Sequence, residues 1–162
     1  MRAALPLLTA ALLALGHMAG AQGTAVTFGT MQGDPDAPIE VSADQLSVTQ
    51  ADDTAIFTGN VVIGQNDMRL SAATVRVIYL EDRSGIARLV ATGGVTLVSG
   101  EEAAEADEAD YDVQAGTIRM TGNVLLTQGG NALTAERMTV NLDDGTAQMD
   151  GRVRTVLQSE PR

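Results

Sequence analysis

An all-β fold of repeated antiparallel strands is what this sequence predicts, on three observations. Apolar residues alternate with period two, the alternation recurs in four units of about 29 residues, and no proline falls between Pro38 and Pro161. Period two places successive side chains on opposite faces of a half-buried strand. A proline-free interior leaves every strand free to donate to its neighbours.

The repeat rests on two landmarks. Thr58-Gly59-Asn60-Val61 and Thr121-Gly122-Asn123-Val124 are near-identical, Thr92-Gly93-Gly94-Val95 is a close copy, and Asp150-Gly151-Arg152-Val153 is a degenerate fourth. The glycines 59, 93, 122 and 151 are spaced by 34, 29 and 29 residues. A small residue after Ser, Thr or Glu recurs at Ala43, Ala72, Ala106 and Ala135, spaced by 29, 34 and 29. From each glycine to the next alanine is always 13 residues. One five-residue insertion within Ile78–Val90 accounts for every difference.

Within each unit the parity agrees. Around Gly122, Ile118, Met120, Val124 and Leu126 share one face, with Leu125 the exception on the other. The equivalent positions are Ala55, Phe57, Val61 and Ile63, then Leu89, Ala91, Val95 and Leu97, then Ala147, Met149 and Val153. Three and five residues after each landmark alanine stand Leu46/Val48, Val75/Val77, Ala109/Tyr111 and Met138/Val140. A slip of one residue would turn every apolar group outward, so this agreement fixes the register. Turn residues cut each unit further: Ala51–Thr54, Asp82–Gly85, Gln114–Gly116 and Asp143–Gly145 on one side, Gly64–Asp67, Ser99–Glu101 and Gln128–Asn131 on the other. The glycine of each unit lies mid-strand, where the chain can bend from one sheet into another. The expectation is about sixteen short strands wrapped around two facing sheets.

Composition excludes most chemistry. Residues 1–21 read as a signal peptide: Arg2, an apolar run from Leu5 to Leu15, and Ala19-Gly20-Ala21 before Gln22. Residues 22–37 are expected to be a flexible leader ending at Pro35 and Pro38, residues 38–158 the β domain, and residues 159–162 a tail. The single histidine, His17, leaves with the signal, and the chain has neither cysteine, tryptophan nor lysine. Histidine-based triads, thiol nucleophiles, Schiff-base lysines, zinc sites and disulfides are thereby excluded. Nine arginines then stand against 21 acids, a charge near −12, which opposes nucleic-acid binding. The four aromatics Phe28, Phe57, Tyr79 and Tyr111 are too few for the girdles of an outer-membrane barrel. No catalytic residue, metal site or cofactor is expected.

Charged features take ordinary readings. Glu101, Glu102, Glu105, Asp107, Glu108, Asp110 and Asp112 crowd twelve residues; the run lacks the glycine of a calcium loop and is read as a solvated acidic corner. Asp52/Asp53 and Asp143/Asp144 fall in turns rather than at a glycosidase centre. Arg76, Arg119 and Arg137 lie on the outward parity as partners for the acids.

The segment Pro38–Leu46, followed by Ala55–Ile63, resembles the OstA-like family of periplasmic lipopolysaccharide-transport proteins. Gly122-Asn123-Val124, Leu133–Arg137 and Gly151-Arg152-Val153 continue the likeness, which covers about residues 38–157. The resemblance implies a twisted, open β-jellyroll with a continuous apolar interior, acting in the periplasm. It implies a bridge protein that takes lipopolysaccharide acyl chains into its groove and carries them toward the outer membrane, with no reaction catalysed. The partners implied are lipopolysaccharide, an inner-membrane transport complex at the N-terminal edge, an outer-membrane translocon at the C-terminal edge, and further copies head to tail. The expected groove residues are Leu46, Val48, Phe57, Val61, Ile63, Val75, Val77, Leu89, Val95, Leu97, Tyr111, Ile118, Met120, Val124, Leu126, Met138 and Val140. The expected docking edges are Ile39 and Val41 at one end and Val153 and Val156 at the other, since unpaired strand edges invite strand addition.

Negative charge disfavours a site for lipid phosphates, so the ligand expectation rests on the inward parity, each buried CH₂ being worth roughly 0.8 kcal/mol. Other readings are a structural periplasmic β-repeat with a packed core and no ligand, and a polysaccharide-active enzyme on a repeat scaffold. The enzyme predicts inward carboxylates, and essentially none are expected. A membrane-anchored relative is disfavoured by Ala19-Gly20-Ala21.

Overall fold

The computed structural model describes residues 24–27, 34 and 36–158. Eleven strands form one antiparallel sheet: β1 (Thr24–Thr27), β2 (Glu40–Ser42), β3 (Gln45–Thr49), β4 (Thr54–Gln65), β5 (Met68–Tyr79), β6 (Ile86–Ser99), β7 (Glu102–Asp112), β8 (Thr117–Gln128), β9 (Asn131–Asn141), β10 (Thr146–Asp150) and β11 (Arg154–Val156). The sheet is a meander running β1-β10-β9-β8-β7-β6-β5-β4-β2, with β3 also on β4 and β11 also on β9. A single 3-10 turn, Gln50–Asp52, is the sole helical element among the described residues.

Sixteen short strands were expected and eleven are found, and the glycine corners explain the difference. Six strands, β4 to β9, each run through their bend without losing the ladder. The pairing of β4 with β5 jumps from Thr58↔Thr74 to Val61↔Ala72, so two residues of β4 face one of β5. The same β-bulge recurs between Thr92 and Val95, and between Thr121 and Val124. A bulge bends and twists a strand while leaving it hydrogen-bonded on both sides. At the two ends the break is complete, separating β2 from β3 and β10 from β11. With β2/β3 and β10/β11 each taken as one broken strand, eight chain-long strands stand beside β1 among the described residues.

The corners divide the sheet into two layers. One holds β3, β10, β1 and the arms 54–58, 74–79, 86–92, 108–112, 117–121 and 137–141; the other holds β2, β11 and the remaining arms. Tyr111 of the first layer donates its hydroxyl to Gln65 Oε1 of the second at 2.9 Å, so the layers face one another. One continuous buried cluster lies between them, from Ala55 to Met149.

The connections match the turn signals. Asn66-Asp67, Gly100-Glu101 and Gly129-Gly130 are two-residue hairpin links, each with positive φ at its first residue, which suits the right-handed twist of the flanking strands. The insertion in the second unit is a longer hairpin, 80–85, in which Leu80 donates to Gly85 O at 2.9 Å. Within the expected leader, Thr24–Thr27 are strand, paired antiparallel with β10. The expected signal peptide (1–21) and tail (159–162) lie outside the described residues.

Candidate interior groove and edge strands

The sequence places the inward residues by parity, and the structure brings most of them into one interior. Val61, Ile63, Val75, Val77, Leu89, Val95, Leu97, Tyr111, Ile118, Met120, Val124, Leu126, Met138 and Val140 are all buried, and none is more than 2% exposed. Cross-strand neighbours stack along the sheet: Tyr111 lies opposite Leu89 and Ile118, and Ile118 in turn opposite Val140. Ala104, Ala106 and Ala109 of β7 join them, so the lining is aliphatic and small, with little to mark one point along it from another.

Three expected lining residues differ. Leu46 and Val48 keep the inward register, opposite Phe57 and Ala55, yet they are 56% and 63% exposed. β3 is the last strand at its end of the sheet, so no further strand covers them. Phe57, one strand in, is half-buried against the cluster. The opposite end is similar: β11 is exposed throughout, and Val156 and Leu157 are 59% and 69% exposed. Of the expected docking residues, Ile39 and Val41 are half-buried against the cluster and Val153 is exposed. Beside β2, a hollow of about 530 Å³ is lined by Pro38, Val41, Val62 and Arg69.

The acidic run is not a corner. Its acids lie along β7, which alternates acid with alanine. Glu105, Asp107, Glu108 and Asp112 face solvent while Ala104, Ala106, Ala109 and Tyr111 face in. Glu102 breaks the expectation of no inward carboxylate: it is 6% exposed, and Gln128 donates its amide to Glu102 Oε1 at 2.6 Å. With Ser99 and Gln65, also buried, it forms a polar end to the interior, to which the Tyr111 hydroxyl belongs. Burial pushes the Tyr111 hydroxyl above the ordinary tyrosine range, and its hydrogen bond to Gln65 opposes that only in part.

The outward arginines are exposed at 76, 119 and 137. Arg137 approaches Glu136 at 4.0 Å. Arg88 pairs closely with Asp110, whose hydrogen bond raises the Arg88 pKa, and Arg83 pairs with Asp53 at 2.6 Å. Among the described residues, no group of three or more acids, histidines or cysteines is placed to hold a metal ion.

Sequence reasoning missed one set of residues that hold the fold: the carboxylates at the corners. Asp44, Asp107 and Glu136 each follow a landmark alanine and lie over the corner glycine of the adjacent strand. Asn60 donates its side-chain amide to Asp44 Oδ2, and Asn123 to Asp107 Oδ2, both at 2.9 Å. Arg152 reaches Glu136 Oε1 at 3.2 Å. The second unit has Ala73 in place of the acid and Gly94 in place of the asparagine, so both partners are absent together. The signal was available: acid and partner are always 16 residues apart.

With this geometry established, comparison with known proteins is decisive. Residues 40–146 match the family described as LptA/(LptD N-terminal domain) LPS transport protein. The chain belongs to this family. An uncharacterised protein of Rhizobium meliloti (strain 1021) is 30% identical over 105 residues, which cover 60% of this chain and 56% of that protein. The chain thus spans little more than half the length of that relative. Among solved structures, LptH of Pseudomonas aeruginosa, titled the LptA homologous periplasmic component of a lipopolysaccharide transport device, matches with a TM-score of 0.70 at 18% identity. The match covers 78% of this chain and 99% of LptH. It shows the LptA-like jellyroll architecture in which the interior and its two open edges are set, and the family is one of lipopolysaccharide transport.

Proposed function

We propose that this chain is a periplasmic bridge protein that takes the acyl chains of lipopolysaccharide into its interior and passes them from an inner-membrane transport complex to an outer-membrane translocon. The observation that carries the reading is the continuous inner face: β4 to β10 all contribute buried apolar side chains to one cluster, and Val41 of β2 packs against it. Such a surface recognises hydrocarbon by area rather than by polar contacts, each CH₂ contributing roughly 0.8 kcal/mol. Among the described residues the interior supplies no basic side chain for a phosphate, so headgroups stay outside. The N-terminal edge, β2 and β3, accepts the inner-membrane side, the C-terminal edge, β10 and β11, the outer-membrane side, and copies stack head to tail where the span demands it. The chain acts without catalysis, cofactor or nucleic acid; Glu102, the inward carboxylate, is held by Gln128 and has no second inward acid at glycosidase separation among the described residues.

One observation favours a second reading. Ile118, Met120 and Leu126 are fully buried against the chain's own side chains, as they would be in a structural β-repeat protein that binds nothing. Photo-crosslinking in cells separates the two. A probe at inward Ile118 is expected to yield lipopolysaccharide adducts, and a probe at outward Arg119 none. Absence of adducts at Ile118, Val124 and Leu126 in folded protein would establish the packed structural repeat instead.

A further inference from the structure

We propose that Thr24–Thr27 is a built-in competitor that caps the outer edge of β10, the edge on which the end-to-end reading above places β3 of a second copy. The inference rests on the end-to-end reading above and goes beyond it by naming the residues that control the joint.

Strand polarity makes the case first. The chain-long strands alternate in direction from β2/β3 at one edge to β10/β11 at the other, eight in all. A following copy that continued the sheet would therefore lay its β3 antiparallel on β10. β1 already lies there, antiparallel, with Thr24↔Met149, Ala25↔Gln148, Val26↔Ala147 and Thr27↔Thr146. It belongs to the far edge in sequence, since β2 is the next strand of the chain, yet it is bonded at the opposite end of the sheet. The residues match as well. Thr24-Ala25-Val26-Thr27 parallels Leu46-Ser47-Val48-Thr49 of β3, each a small residue followed by Val-Thr.

The cap is partial. β1 covers β10 only, while β11, the other half of the same edge, stays exposed. The bare half borders Val153, Val156 and Leu157, and β3 presents Leu46 and Val48, all exposed apolar side chains of the kind that mark an interaction surface. An incoming copy thus meets a free β11 for its β2 and displaces a four-residue strand with a five-residue one. A tethered strand competes at an effective concentration on the order of millimolar, so the cap holds dilute copies apart and yields once a partner engages both layers.

The test compares three forms of the chain starting at Gln22 by sedimentation over a concentration series. They are the parent, a form lacking residues 22–27, and the Val26→Cys/Ala147→Cys double variant, whose two cysteines are the only ones present. Removing the cap is expected to lower the concentration of half-association by about tenfold or more. The oxidised double variant is expected to stay monomeric at every concentration and to associate on reduction. It decides the matter alone if the shortened form does not fold. Identical association of all forms would overturn the cap while leaving end-to-end stacking intact. Loss of association on deletion would overturn it too, making β1 a splice between copies. An intermolecular rather than intramolecular disulfide would have the same meaning. Absence of association in every form would overturn the acceptor edge and the stacking, while the lipid reading is judged separately by adducts at Ile118.

Discussion

Adding one methyl group at a corner glycine distinguishes backbone strain from the carboxylate clasp. Gly122 has φ +82°, and a Cβ built on it would lie 2.9 Å from both Cβ and Cγ of Asp107. Gly94 has almost the same backbone, φ +85°, but nothing within 4 Å. Gly94→Ala therefore measures the left-handed backbone alone, about 1–2 kcal/mol. That figure is reduced by roughly 0.4–1 kcal/mol because alanine restricts the unfolded chain. Gly122→Ala carries the same cost and in addition drives Asp107 off the corner, removing its hydrogen bond to Asn123, worth about 0.5–1.5 kcal/mol. It should be the more destabilising by about 1–2 kcal/mol once the displaced side chain is included.

Urea unfolding followed by far-ultraviolet circular dichroism is the assay, because the chain has no tryptophan to report. The midpoint should fall in both variants with unchanged slope, since the surface exposed on unfolding is the same. Equal losses for the two variants would refute the argument, showing that the carboxylate over the glycine yields freely and that the corner is held by its backbone alone. A larger loss at Gly94 would refute it more strongly.

Three further outcomes are expected. Asp107→Ala and Asn123→Gly, which together convert the third corner to the composition of the second, should show a coupling of about 0.5–1 kcal/mol in a double-mutant cycle, and zero coupling would mean that the 2.9 Å bond is not formed in solution. Tyr111→Phe should lower stability by about 1–2 kcal/mol by leaving Gln65 Oε1 buried without its donor. Because the folded Tyr111 pKa lies above its unfolded value, near 10, this group's stabilisation is complete below that value and lost as pH rises through the higher folded one; alkaline unfolding of the wild type that is no steeper than that of Tyr111→Phe would contradict this. Leu46→Ser with Val48→Ser should leave stability within about 0.5 kcal/mol, as both are largely exposed, while weakening end-to-end association, and unchanged association would remove β3 from the joint.

How much of this was legible in the sequence follows from what period two can encode. Parity is set by burying one face, so Ile118, Val124 and Leu126 could be placed inward from the repeat alone. Hairpin ends were legible because Asn66, Gly100 and Gly129 supply the positive φ their links require. Parity is silent on how far a strand is covered, which depends on its position in the sheet; Leu46 and Leu126 share a pattern, and only the edge position of β3 exposes the former. The corners misled in a different way. A glycine mid-strand signals a bend but not whether the ladder survives it, and at Gly59 and Gly122 a bulge keeps it intact. Glu102 was hidden by its company, one buried acid in a run of exposed ones, although Ala104 and Ala106 carry its parity. β1 could not be read from local pattern: a four-residue strand that lies before the first repeat landmark pairs with a strand more than a hundred positions away.

The two long sides of the interior are not equivalent, and that bears on how a hydrocarbon ligand would enter on the proposed reading. Along one side run the corners, where six strands pass unbroken between the layers, and even the two broken edges stay bonded to their neighbours there, by Asp44 N–H to Gly59 O and Glu136 N–H to Gly151 O, both at 2.9 Å. Parting the layers there means breaking backbone ladders, each bond leaving a donor and an acceptor to be satisfied. Along the other side the layers end in hairpin links, 50–53, 80–85, 113–116 and 142–145 on one, 66–67, 100–101 and 129–130 on the other, and the Tyr111–Gln65 hydrogen bond joins them. Opening that rim breaks the Tyr111–Gln65 hydrogen bond, a side-chain bond worth about 0.5–1.5 kcal/mol, and parts aliphatic contacts, which an acyl chain replaces in kind at roughly 0.8 kcal/mol per CH₂ buried. An interior packed on its own side chains is therefore compatible with lipid loading from the hairpin side, and Tyr111→Phe should then ease loading while it lowers stability.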